Sequence, residues 1–159
     1  MTWREKLADA LPALGHRNWI VVADSAYPAQ ARAGVETVVA DEGLIEVLGE
    51  VLAQLAVARH VRPVVHVDEE LPFVGEQDAT GATEFRRRLA GVLDKLVIES
   101  LPHERIIELL DEAGRTFRIL IIKTTAMIPY TSVFIRLDCG YWSDEAESRL
   151  RAALAARTD

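Results

Sequence analysis

Two histidines, an aspartate and a tyrosine are the residues of this sequence best suited to proton transfer. His16 precedes a short apolar run, residues 20–23, and Asp24 follows that run directly. His103 and Tyr130 lie further along the chain, each directly after a proline. Imidazole, carboxylate and phenol groups exchange protons near neutral pH. Together they suit a reaction that moves protons between oxygen atoms.

Each of these residues, taken alone, also has an ordinary structural role. Asp24 can bind backbone N–H groups of its own loop. His16 follows Gly15 and is favourable beside the carboxyl end of a helix dipole. His103 is predicted in the first turn of a helix, where the dipole disfavours a charged imidazole. Tyr130 can be a surface aromatic or an oligomer contact. Only the combination of residues therefore indicates a site.

Other kinds of chemistry lack the residues they need. The chain has neither of the two glycine-rich phosphate loops, GxGxxG and GxxxxGK[ST], and no GxSxG nucleophile motif. His66 and Asp68 share one side of a strand, but no second ligand pair at zinc spacing accompanies them. Cys139 has no obvious base partner. We predict no metal and no cofactor.

Composition sets the broad class of protein. The chain has 159 residues, half of them hydrophobic, and a formal net charge of −7, which fits one globular domain. An acidic chain argues against nucleic acid and anionic membrane surfaces as partners. A single cysteine permits no internal disulfide and fits the cytoplasm, and neither a signal peptide nor a membrane-spanning run is recognisable.

Strands and helices alternate along most of the chain. The apolar spacing predicts helices over 3–14, 41–59, 83–96, 102–114 and 143–157, and strands over 20–23, 35–40, 63–67, 97–100, 117–124 and 131–138. Continuously apolar strands are typical of a three-layer α/β fold, a mostly parallel sheet with helices on both faces. Ligands of such sheets bind beyond the carboxyl ends of the strands. The polar residues expected at that edge are Asp24, Asp68, Ser100, His103, Lys123 and Thr124.

Four segments together resemble the RbsD/FucU family, the D-ribose pyranases and L-fucose mutarotases. They are LGHRNWIVVADSAYPA, VETVVADEGLIEVLGEVL, LPHERIIELLDEAGRTFRILIIKT and PYTSVFIRLDCG, which occur in the family's order and span roughly residues 7–140. The resemblance implies an RbsD-like fold for residues 1–140, with residues 141–159 as a helical extension of the same domain. It also implies a homo-oligomer, with the site near subunit contacts.

The resemblance implies a role for each matching residue. His16, His103 and Tyr130 would be catalytic, and Asp24 would contact sugar hydroxyls. Position 103 is histidine in the ribose type and tyrosine in the fucose type, so His103 implies a ribose-like sugar. The reaction would interconvert cyclic forms of a monosaccharide by acid–base ring opening, without a cofactor.

The sequence also departs from the family at the expected site. Ser132 stands where the family usually has asparagine, and Lys123–Ala126 replaces a Thr/Ser-Gly-Glu segment. We expect Ser132 and Lys123 to contact the substrate in this chain. The same two departures favour a second hypothesis, a sugar-binding or regulatory module without catalysis. A third is an isomerase of another small molecule on the same scaffold.

Overall fold

The computed structural model describes residues 1–157, which form one six-stranded sheet, five α-helices and two short 3₁₀ helices. The α-helices are α1 (Trp3–Ala10), α2 (Leu44–Val57), α3 (Ala82–Val92), α4 (His103–Gly114) and α5 (Asp144–Ala156). The strands are β1 (Trp19–Ala23), β2 (Val35–Val39), β3 (Val61–Asp68), β4 (Val97–Leu101), β5 (Ile119–Lys123) and β6 (Val133–Cys139).

The sheet has the strand order β2-β5-β1-β6-β3-β4, and β6 alone runs opposite to its neighbours. The predicted three-layer, mostly parallel α/β fold is therefore confirmed. The reversal of β6 follows from its connection to β5. Residues 124–132 contain no helix and are fewer than the roughly dozen residues that a parallel crossover needs.

Helices cover the sheet unequally. Helices α1, α2 and α3 pack on one face against residues of β1, β5 and β6 such as Ile20, Ile122 and Ile135. Helix α4 packs on the other face, where Ile106 and Leu110 contact a second apolar cluster that includes Phe134 and Ile121. Because α4 is the single helix of that cluster, room remains beside it on this face.

The amino-terminal helix shows how local signals set its ends. The Thr2 side chain accepts a hydrogen bond from the Glu5 backbone while Glu5 accepts from Thr2, which satisfies two free N–H groups of the first turn. Proline cannot donate within a helix, and α1 ends before Pro12, which lies in the 3₁₀ helix Leu11–Ala13.

Element boundaries differ from the sequence prediction in several places. Strand β3 is longer than the predicted 63–67 because pairing with β4 and β6 extends it to Val61–Asp68. Helix α3 ends at Val92 rather than at residue 96. Helix α5 begins at Asp144, one residue from the predicted start, because the Ser143 side chain caps it by accepting from the Ala146 N–H at 3.0 Å.

One edge of the sheet collects the polar residues. Asp24 follows β1, Asp68 is the last residue of β3, and His103 comes two residues after β4. Because β6 is antiparallel, its first residues lie at this same edge, and Ser132 directly precedes it. Parallel strands and one reversed strand thus bring four distant segments together.

Candidate functional site

A cleft of about 530 Å³ lies between α4 and the segment that joins β1 to β2. Apolar side chains of α4 and β5, such as Ile107, Leu110 and Ile121, form part of its lining. The residues from the polar edge that also line it are Asp24, Asp68, His103, Tyr130 and Ser132. The cleft therefore combines an apolar wall with titratable and hydroxyl groups.

Asp24 and Ser132 form a closely bonded pair. The Ser132 hydroxyl donates to Asp24 Oδ1 at 2.8 Å and accepts the Asp24 backbone N–H at 3.0 Å. Ser132 is buried, whereas Asp24 is half-buried and faces the cleft. Within residues 1–157 no group donates to Asp24 Oδ2, which leaves this oxygen able to accept a ligand hydroxyl.

His103 and Asp68 form a second pair. The His103 Nδ1 atom lies 2.9 Å from Asp68 Oδ2 and 3.0 Å from Oδ1. Asp68 is 1% exposed, while the His103 side chain is 29% exposed and lines the cleft. Burial raises the pKa of Asp68 to about 6, although the hydrogen bond from His103 opposes that rise.

The start of α4 fixes the backbone of His103. His103 is the first helical residue, and its N–H donates to both carboxylate oxygens of Glu70, at 3.0 and 3.1 Å. An anion is favourable at a helix amino terminus, where N–H groups have no partner within the helix. Glu70 thus anchors the helix end. The backbone of His103 is bound by Glu70, whereas its imidazole is bound by Asp68.

Aromatic rings surround the His103 imidazole. The Tyr130 ring meets it edge-on with centroids 5.7 Å apart, and the Phe134 ring lies 6.2 Å away. Tyr130 has a backbone φ of 61°, in the left-handed region that costs a non-glycine residue about 1–3 kcal/mol. The chain accepts this conformation where the Tyr130 side chain reaches the mouth of the cleft.

Tyr27 adds a phenol to the inner wall. It is buried, lines the cleft and lies 6.2 Å from the Phe134 ring. Burial raises the pKa of Tyr27 to about 12, and the carboxylates of Asp111, Asp68 and Asp24 add to the effect. The phenol therefore stays protonated at neutral pH and can donate a hydrogen bond.

The raised pKa of Asp68 predicts an unusual pH dependence of stability. The folded protein holds this proton up to about pH 6, whereas a free aspartate loses it near 3.8. The contribution of Asp68 to stability is therefore present below about pH 4 and is lost as the pH rises to 6. We expect Asp68→Asn to raise the free energy of unfolding at pH 8 by up to about 3 kcal/mol, with little change at pH 3.5.

Urea unfolding of both proteins from pH 3.5 to 8 measures this difference. Asp78→Asn, which changes an exposed carboxylate, is the control and should leave stability within about 0.5 kcal/mol at every pH. A difference between Asp68→Asn and the native chain that does not vary with pH would contradict the burial argument.

The structure places two predicted site residues outside the cleft. His16 is exposed in the turn before β1, at the opposite end of the strand from Asp24. A five-residue strand is roughly 16 Å long, so the expectation that His16 shares a cleft with Asp24 is wrong within one chain. Lys123 ends β5, pairs with Ala23 and is not among the lining residues. Residues that precede and follow one strand lie at its opposite ends, so His16 and Asp24 of a single chain flank β1 from opposite edges of the sheet.

Three residues at or beside the cleft were not predicted as site residues: Asp68 and Tyr27 line it, and Glu70 accepts the backbone N–H of His103. Asp68 was expected at this edge, but its contact with His103 depends on the β3–β4 pairing and has no local sequence signal. Glu70 and Tyr27 lie in irregular segments, where spacing gives no orientation. The clue for Asp68 was a carboxylate at the end of an apolar strand, the same clue that identified Asp24.

Within residues 1–157 no three His, Cys, Asp or Glu side chains are grouped as metal ligands would be. Nor does any described helix have the length and apolar character needed to cross a membrane.

The fold and the cleft define a three-layer α/β protein with a histidine–carboxylate site at the carboxyl edge of its sheet. Residues 3–140 match the model of the RbsD / FucU transport protein family, and the chain belongs to that family. The predicted resemblance is therefore confirmed. No curated protein sequence is significantly similar to this chain.

Solved structures support the same fold. The chain is 24% identical to Bacillus subtilis RbsD complexed with D-ribose, with a TM-score of 0.58 over 84% of this chain and 91% of that one. FucU from Bifidobacterium longum is 19% identical, with a TM-score of 0.57 over 84% and 92%. The fucose mutarotase from Streptococcus pneumoniae, in complex with L-fucose, is 18% identical, with a TM-score of 0.55 over 84% and 91%.

Proposed function

We propose that this protein is a monosaccharide mutarotase or pyranase that interconverts cyclic sugar forms by acid–base ring opening. The observation that carries the proposal is His103, an imidazole held by a buried carboxylate at a cleft that also presents Asp24, Ser132 and Tyr130. Two structurally similar proteins were solved with D-ribose and with L-fucose, which supports a monosaccharide as the ligand.

The reaction needs a base at the anomeric hydroxyl and a donor at the ring oxygen. In the proposed mechanism, the His103 imidazole removes the anomeric proton while the bond between C1 and the ring oxygen breaks. The electron pair passes to the ring oxygen, which takes a proton from the Tyr130 hydroxyl or from water. Rotation about the C1–C2 bond followed by the reverse steps gives the other anomer, and attack of a different sugar hydroxyl on C1 gives the other ring size. In both cases the hydroxyl that closes the ring returns a proton to Tyr130 or water and His103 returns its proton to the carbonyl oxygen, so no proton is gained or lost.

Asp24 and Ser132 would hold the sugar. A carboxylate oxygen without a protein donor accepts hydroxyl protons well, and charge-assisted hydrogen bonds are stronger than neutral ones. Ser132 keeps Asp24 in place through the two hydrogen bonds between them. We propose that the pair binds sugar hydroxyls and that ribose-like sugars are preferred, because position 103 is histidine.

Saturation-transfer NMR tests the proposal directly. Added protein should accelerate exchange between the cyclic forms of ribose, and less so those of fucose, galactose and glucose. Binding of a sugar without acceleration would instead favour the alternative, a sugar-binding or regulatory module. Ser132, which stands where the family usually has asparagine, supports that alternative. If the protein neither binds nor accelerates any of the four sugars, the mutarotase and the sugar-binding hypotheses are both contradicted. The remaining hypothesis is then an isomerase of another small molecule.

We also propose that the protein is a cytoplasmic homo-oligomer and that residues 141–159, of which 158 and 159 lie outside the described residues, extend the domain of residues 1–140. Helix α5 supports assembly, because none of its side chains is buried and Leu150 and Leu154 are nearly half exposed. A 13-residue helix is marginal in water without packing. His16 would reach a cleft only if a second copy supplied it.

Light scattering at micromolar concentration should therefore give a mass above the 17.6 kDa of one chain. Leu150→Asp with Leu154→Asp should lower that mass if α5 forms the contact, whereas Val57→Asp, on exposed α2 surface, is the control. A single 17.6 kDa species for the native chain would contradict assembly.

A further inference from the structure

We propose that Asp68 is a positioning residue for His103, whose carboxylate holds the Nδ1 proton so that Nε2 is left free as the base. This inference rests on the proposed function for its chemical consequence, but the geometry on which it depends can be measured separately. Asp68 lies outside the four segments that resemble the family.

The hydrogen-bond geometry supports one tautomer. Both oxygens of Asp68 lie within 3.0 Å of His103 Nδ1, and an ionised carboxylate can only accept. Nδ1 must then carry the proton, and in a neutral imidazole Nε2 has the lone pair. Within residues 1–157 no protein group hydrogen-bonds to Nε2, and the ring lines the cleft.

A purely structural role for Asp68 is less able to explain its position. The amino end of α4 is already satisfied, because Glu70 accepts the His103 backbone N–H with both oxygens. Asp68 therefore makes its contact with the side chain alone. A neutral residue at this position would leave the helix cap unchanged.

The surroundings make a carboxylate at position 68 unfavourable. Asp68 is almost fully buried, and the nearby charges of Glu70 and Asp24 repel it further. The titratable groups that contact His103 or share its cleft are Asp24, Tyr27, Arg32, Asp68, Glu70, Glu104, Asp111 and Tyr130. Of the groups that act on Asp68, His103 is the one that lowers the pKa of Asp68 and so favours its charged form. Perturbed groups of this kind cluster at functional sites.

The consequence for the reaction is a base that is correctly oriented before the sugar binds. A fixed tautomer spares the imidazole a ring flip or a proton exchange before each transfer. The Asp68 carboxylate also stabilises the imidazolium that forms when Nε2 takes the anomeric proton, as the aspartate of a serine-protease triad does for its histidine. An asparagine in that position of a triad selects the wrong tautomer and lowers kcat by about 10⁴-fold.

The test is Asp68→Asn, examined by ¹⁵N NMR of the imidazole and by sugar exchange. In the native chain at pH 8 we expect Nδ1 protonated and the Nε2 shift of an unprotonated nitrogen. In Asp68→Asn both tautomers should be populated, and sugar exchange should slow by about 10²-fold, bounded by the total acceleration. Its pH profile should also change, which a packing defect alone would not produce. Asp78→Asn is the control, in which the tautomer of His103 should stay unchanged.

The two proposals fail differently. A native His103 with its proton on Nε2, or an Asp68→Asn protein with unchanged tautomer and pH profile, would overturn the positioning role even if the native chain accelerates exchange. Conversely, a native chain that accelerates no sugar would overturn the proposed reaction. In that case the ¹⁵N spectra would still decide whether Asp68 fixes the tautomer.

Discussion

Replacing His103 with alanine should remove most of the acceleration of sugar exchange, a loss on the order of 10²–10⁴-fold. The reason is that His103 is the one imidazole at the cleft among the described residues. Saturation-transfer NMR with ribose measures the rate of the native protein and of His103→Ala.

The start of α4 should survive this substitution, whereas buried Asp68 loses its partner and its pKa should rise further. His103 is partly exposed in the first turn of α4, and its backbone N–H remains available to Glu70. The control is His60→Gln, which changes an imidazole whose Nε2 lies 2.9 Å from the Leu14 carbonyl oxygen, away from the cleft. Equal exchange rates for the native protein and His103→Ala, with circular dichroism unchanged, would exclude His103 as the proton carrier.

Phe134→Ala should produce the largest loss of stability, about 3–5 kcal/mol of the free energy of unfolding. Phe134 lies in β6 at the centre of the sheet and is 0% exposed. Its ring packs near both Tyr27 and His103. Truncation would leave a cavity beneath the cleft, so the positions of both side chains should change as well.

Urea unfolding gives the loss of stability, and Phe73→Ala is the matched control. Phe73 is 88% exposed in the loop after β3, so its truncation should change stability by less than about 0.5 kcal/mol. Similar effects of the two substitutions would contradict the packing described for Phe134.

Much of the architecture could be predicted from local patterns. The apolar runs identified all six strands. Strands β1 and β5 are buried along nearly their whole length, so they must be apolar throughout. The edge strands β2 and β4 are less buried and were identified from their valine and isoleucine residues. The start of α5 followed from Ser143, whose effect on the backbone is local. The first helix was predicted to reach residue 14, but it ends at Ala10, before Pro12. Ends were less accurate where pairing decides them, as at β3, which neighbouring strands extend beyond its apolar residues.

The candidate site was only partly predictable. The rule that ligands bind at the carboxyl edge of a parallel sheet placed Asp24 and His103 together. The same rule places His16, which precedes β1, at the opposite edge. His16 was predicted as a site residue from its residue type and from the family resemblance, which gave no distances.

By itself, then, the sequence determined the fold class, the family and the edge of the sheet where polar groups meet. The fold class and the edge depend on periodicity and on residue types, which act locally, and the family was identified from the resemblance of four segments. The tertiary structure alone decided that Ser132 bonds Asp24, that Asp68 bonds His103 and that His16 lies elsewhere. The first contact joins residues that are 108 positions apart and the second joins residues that are 35 apart. Both contacts depend on the order and direction of the strands. Strand order is a property of the whole sheet, so no segment of the sequence encodes it.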